Sequence, residues 1–134
     1  MSNAPSFKEK ANQNLISAKL LIDKHIYCSS VHCSFYYCLQ NLLHVLFTKK
    51  KYDKAQFIAD TKNNNTGTHL QASKLIGIEI AKVNMEDYKW YQKHFPELKK
   101  LREKADYSDE FIAQEEVHEA LNKAQSIATL VNKI

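Results

Sequence analysis

Two glycines and two prolines in 134 residues leave this chain few ways to reverse direction sharply. Tight turns draw on glycine for positive φ and on proline for a preset φ, and a sheet built from hairpins needs such residues at every connection. The scarcity argues against a sheet protein and predicts an all-helical chain. Gly67 and Gly77 also stand too far apart to form a phosphate-binding loop or a dinucleotide turn, each of which needs several closely spaced glycines.

The apolar periodicity agrees. Ser6, with Glu9 three residues on, reads as a capping box, and Phe7, Ala11, Leu15, Ala18, Ile22 and Ile26 then recur at helical spacing up to about His25–Tyr27. The second helix, about Ser29 to Lys50, carries two apolar stripes and is expected to be the central element, packed on several sides. Its remaining strip is polar: Ser30, Ser34, Tyr37, Asn41, His44 and Thr48. Such a seam faces solvent, a partner helix or a ligand pocket. Residues 51–67 read as a long loop, with a short helix near Tyr52 to Ala59. A third helix is predicted from Thr68 to Val83, where Gly77 implies close approach by a neighbour. Another follows from Asn84 to His94. Pro96 is then expected in the first turn of a separate helix carrying Leu98, Leu101 and Ala105 inward. The last helix runs from about Ile112 or Ala113 to Asn132. The expectation is a single domain over residues 1–134, an up-down bundle of four to five main helices with Met1–Pro5 disordered.

A composition of 44% apolar and 25% charged residues is that of a globular chain. No apolar run approaches the roughly 20 residues that cross a bilayer, and no charged-then-apolar leader opens the sequence, so no membrane partner is expected and the cytoplasm is the expected location. A net charge of +4 tolerates a polyanionic partner without requiring one. Cys28, Cys33 and Cys38 are spaced five residues apart, which on a helix turns each thiol about 140° from the last. They cannot converge on a metal and read as small apolar residues. Glu115-x-x-His118 has the spacing of a di-metal ligand pair but lacks the second pair such a site needs. No metal or other cofactor is expected.

Arg102 is the only arginine among 19 basic residues. Where lysine supplies charge everywhere else, a lone guanidinium marks a position that wants a planar, permanently charged fork. It flanks the stripe of Leu98, Leu101 and Ala105, with Asp106 one turn on. The plain reading is a helix-surface ion pair worth a few tenths of a kcal/mol. The sharper one is bidentate capture of a phosphate or carboxylate. The basic run Lys49-Lys50-Lys51 with Lys54, near Tyr52 and Phe57, reads first as a solvated helix end.

Several segments together resemble the HEPN superfamily of small helical domains: F-K-E-K-A-x-x-N-L from Phe7, S-S-V-H-C-S-F-Y-Y-C-L-Q-N-L-L in the second helix, Thr68-His69-Leu70, and L-R-E-K-A-D-Y-S-D around Arg102. The resemblance spans nearly the whole chain. It implies a helical bundle, a homodimer, and a place among toxin–antitoxin, defence or RNA-processing systems, with a nucleotidyltransferase-like antitoxin as one kind of partner. Active members are metal-independent ribonucleases with an arginine followed four to six residues later by a histidine, two copies meeting across the dimer. Arg102 matches that arginine, and Tyr107, Ser108 and Asp109 occupy the positions where the histidine would stand. Tyrosine and aspartate are poor proton carriers near neutral pH. Ribonuclease activity is therefore doubtful, with Arg102, Asp106 and Tyr107 as the candidate catalytic set. Arg102 together with Ser34, Tyr37, Asn41 and His44 is the candidate surface for RNA or nucleotide. His32 and His44 are the candidate substitutes for the missing histidine, and His69 reads as a cap-region side chain. The competing reading is a non-catalytic module that docks a partner protein, with Arg102 in a structural ion pair.

Overall fold

The computed structural model describes residues 6–134; the polar start Met1–Pro5, expected to be disordered, lies outside the described residues. Six α-helices follow in order: α1 (Phe7–Asp23), α2 (Tyr27–His44), α3 (Lys54–Asn63), α4 (Thr68–Val83), α5 (Met85–Tyr107) and α6 (Gln114–Lys133). No strand occurs among the described residues. Between α2 and α3 the chain continues helically as a π turn over Val45–Lys49, so the second helical run covers nearly the expected range.

Helix ends are made with few glycines. Ser6 caps α1 by accepting the Glu9 amide, and Asn84 does the same for Asp87 at α5. At the end of α1, His25 takes a left-handed φ of 60°, with its amide on Ile22 and the Ile26 amide on Leu21. Asn65, at φ 53°, closes α3 in the same way through Lys62 and Thr61. Both are Schellman closures, a place usually given to glycine.

The helix α2 is central, touching α1, α4, α5 and α6. Val31, Phe35, Cys38 and Leu42 of α2 are fully buried, as are Val45 and Leu46 of the π turn, and Ile76, Ile80, Leu98, Val117, Ile127 and Val131 pack into the same core. On α4, a Cβ at Gly77 would lie 3.3 Å from the Tyr88 ring, so the close approach expected there is real.

Two expectations are corrected. Residues 51–67 are not mainly loop, because α3 runs ten residues to Asn63. Its anchor is Phe57, which is buried against the edge of Phe47 at 5.3 Å. Pro96 does not start a helix; it lies inside the 23-residue α5. An internal proline costs about 3 kcal/mol. Tyr91, Phe95, Leu98 and Leu101 are all buried along this helix, and each buried side chain of that size contributes about 1.5–3 kcal/mol. Packing outweighs the break. The result is one long helix that carries Arg102 to the far end of the bundle.

Candidate anion-binding cleft

Arg102 is buried, 5% exposed, one turn before the end of α5. Its guanidinium lies between two aromatic faces, 4.9 Å from the Phe35 centroid and 5.4 Å from that of Tyr107. Stacking of this kind holds a planar cation in one orientation at little entropic cost. Its polar contacts are loose. Nη1 donates to the Tyr107 hydroxyl at 3.2 Å, and Nη2 reaches His69 Nδ1 at 3.5 Å. Asp106 stands 3.7 Å from Nη1, a long ion pair and not a bidentate one. Nε has no hydrogen-bond partner.

Around the arginine lies a group that only the tertiary fold assembles. His69, in the first turn of α4, accepts from Arg102 on Nδ1; its Nε2–H then faces the Tyr36 hydroxyl at 3.4 Å. Burial, with Arg102 and then Lys99 adding to it, lowers the His69 pKa, so the imidazole is neutral at physiological pH. On α2, His32 donates Nδ1–H to Asp106 at 2.9 Å and lies tilted at 41° against Tyr36, with ring centroids 4.6 Å apart. That bond leaves the basic lone pair on His32 Nε2, in a side chain 47% exposed. A carboxylate that fixes the tautomer of a solvent-facing imidazole is an arrangement able to transfer a proton. Burial, with Asp106 as the lesser cause, also raises the thiol pKa of nearby Cys33.

The guanidinium lines an open cleft of about 710 Å³ between the start of α4 and the end of α5. Gly67, Thr68, His69 and Leu70 form one wall; Lys99, Arg102, Glu103 and Tyr107 form the other. Tyr107 is 75% exposed and flanks the opening. A second, more apolar groove of about 780 Å³ runs along α4 and α5 past Gly77, Ile78, Tyr88 and Pro96. It contains none of the residues that surround Arg102, apart from Leu70 at its end.

The predicted set therefore divides. Arg102, Asp106 and Tyr107 come together. Ser34, Tyr37, Asn41 and His44 do not join them, and none lines the cleft. The polar strip of α2 faces partner helices instead: Ser30 donates to the Ala18 carbonyl at 2.8 Å. Asn41 accepts from Lys8 of α1 and Asn132 of α6, each at 3.0 Å. Ser34 is fully buried with no partner for its hydroxyl. His44 keeps a lowered pKa from burial and from Lys8 and Lys49, on the side of the bundle that faces α1. The sequence reading missed His69 as a neighbour of Arg102. It named His32, whose spacing to Phe35 and Tyr36 puts all three on one helical face.

The basic run is likewise structural. Lys49 and Lys50 donate to the carbonyls of Asn132 and Ile134 at the end of α6, the second at 2.7 Å. Tyr52 donates to Glu79 at 3.1 Å, and Phe57 is buried, so neither ring is free to stack on a base.

No curated protein and no solved structure matched the chain. The family model described as HEPN domain matches residues 4–134. With an all-helical fold and that match over nearly its whole length, the chain belongs to the HEPN domain family.

Proposed function

We propose that this protein is an RNA- or nucleotide-associated component of a toxin–antitoxin or defence-type system, acting as a homodimer and engaging a phosphate of its ligand through Arg102. The observation that carries the reading is the state of that guanidinium. It is buried and lies over the rings of Phe35 and Tyr107, yet it lines a cleft, its sealed Nε has no acceptor, and its nearest carboxylate stands at 3.7 Å. A structural ion pair would close the fork with two short parallel bonds, because a buried charge is costly unless fully paired. This fork is held in place and left open.

Binding stands ahead of cleavage in this reading. The family's motif histidine is replaced, and of the imidazoles near Arg102, His69 is neutral with its ring nitrogens on Arg102 and Tyr36, while His32 is not among the residues that line the cleft. The docking alternative, a helical module for a nucleotidyltransferase-like antitoxin, draws its support from the apolar groove beside Gly77. The two separate in one experiment: binding and cleavage of a mixed-sequence RNA by the wild type and by Arg102→Ala, each checked for fold by circular dichroism. The proposal expects loss of binding in the variant; equal behaviour of the two proteins would leave the docking reading alone.

A further inference from the structure

We propose that the cleft is a seat for a terminal phosphate monoester, whose oxygens are taken by the first amides of α4 together with Arg102 and Lys99. This rests on the reading of Arg102 as an anion-binding group and specifies the ligand. The helix α4 is 16 residues long and starts with Gly67 as N-cap, which offers no side chain to its own orphan amides. The Gln71 amide is already bonded to the Gly67 carbonyl, so the amides of Thr68, His69 and Leu70 lie ahead of the first intrahelical bond. A free helix start is common by itself. Here a second, unrelated observation bears on the same space: the opposite wall carries the Arg102 guanidinium, 5% exposed and lining the cleft, with only long contacts of 3.2–3.7 Å on its Nη atoms.

The donor count favours a terminal group. The residues that carry three amides, one fork and the Lys99 ammonium line the cleft from its two walls. A phosphodiester offers two non-bridging oxygens and one charge, whereas a monoester offers three oxygens and about −1.5 to −2 charge at neutral pH. Amides at a helix start, with the dipole behind them, suit the higher charge. Glu103, the carboxylate lining the same cleft, lies 3.8 Å from Lys99, and Asp106 lies 3.7 Å from Arg102. Each cation thus has a loose anionic neighbour, able to give way to a shorter bond. Tyr107 at the opening gives the attached nucleoside a face on which to stack.

Gly67 supplies the test. Its φ of −77° and ψ of 161° suit any N-cap residue, and a Cβ there meets nothing within 4 Å. In Gly67→Asp the new carboxylate caps the amides of α4 itself and repels an incoming anion, while the helix gains a better cap. Gly67→Ala adds the carbon without the acceptor. The measurement is fluorescence anisotropy of a 3′-labelled RNA octamer carrying either a 5′-phosphate or a 5′-hydroxyl, at one fixed salt concentration. The 5′-phosphorylated octamer should bind at least about tenfold more tightly. Gly67→Asp should remove that preference without lowering the melting temperature, and Gly67→Ala should keep it. Competition by AMP assigns the seat to free nucleotides, and its absence assigns it to RNA ends. Equal affinity for the two octamers, or an unchanged preference in Gly67→Asp, overturns the phosphate seat. Loss of binding in Arg102→Ala would then still uphold the broader reading. If the wild type binds neither octamer, both fall.

Discussion

Replacing Arg102 with methionine weighs what the guanidinium does for the fold against what it does for a ligand. The variant loses the 3.2 Å bond to Tyr107, worth about 1 kcal/mol. It loses the stack on Phe35, worth up to about 2 kcal/mol where water is excluded. The 3.7 Å contact with Asp106 adds no more than about 1 kcal/mol. On the other side, the substitution removes a buried Nε–H that has no acceptor, a relief of about 1–3 kcal/mol. A methionine sulfur on the Phe35 ring returns roughly 0.3–1.5 kcal/mol. The two sides nearly cancel, so Arg102→Met should change unfolding free energy by no more than about 1 kcal/mol. In urea, with a slope of about 1–3 kcal/mol/M for a protein of this size, the midpoint moves by less than about 1 M. RNA binding in the same preparation should be lost. A structural ion pair predicts the reverse, since removing one partner of a buried pair costs about 3–5 kcal/mol. Destabilisation by 3 kcal/mol or more, with binding intact, would refute the reasoning.

Two further outcomes follow from neighbouring residues. Burial, then Arg102 and Lys99, hold His69 below its ordinary value of 6.5. The unfolded chain therefore takes up this proton first as pH falls: the stability due to neutral His69 is complete above pH 6.5 and is lost as pH drops through the lowered folded value. The melting temperature of the wild type should fall more steeply than that of His69→Gln between about pH 7.5 and pH 5, and parallel curves would count against the assignment. Ser34→Ala should leave binding unchanged and stability equal or higher by up to about 1 kcal/mol, because its buried hydroxyl makes no bond; weakened RNA binding in that variant would return Ser34 to the site.

Much of the scaffold was legible in local pattern, and much of the site was not. The helix Thr68–Val83 has the bounds its periodicity and flanking residues predict. Pro96 misled because a boundary rule concerns the backbone alone, while Phe95 and Leu98 hold the helix together through burial on other elements. Glycine is a reliable stop signal only when helices use it, and α1 and α3 end on His25 and Asn65. On α2, the polar strip was found correctly as a face, but periodicity cannot say what a face meets; here it meets α1 and α6. Arg102, Asp106 and Tyr107 were readable because they lie within six residues of one another. His69 joins them from 33 residues away, and His32 reaches Asp106 across 74. No local pattern encodes such separations.

Asn41 has a consequence for how the molecule comes apart. One amide oxygen on the central helix α2 is held at once by Lys8 and by Asn132, from the first helix and the last. Peeling away either helix takes one of two donors from the same buried oxygen, so fraying from one side raises the penalty for losing the other. Unfolding should proceed as one concerted event, and a fragment missing either outer helix should not persist as a folded remnant.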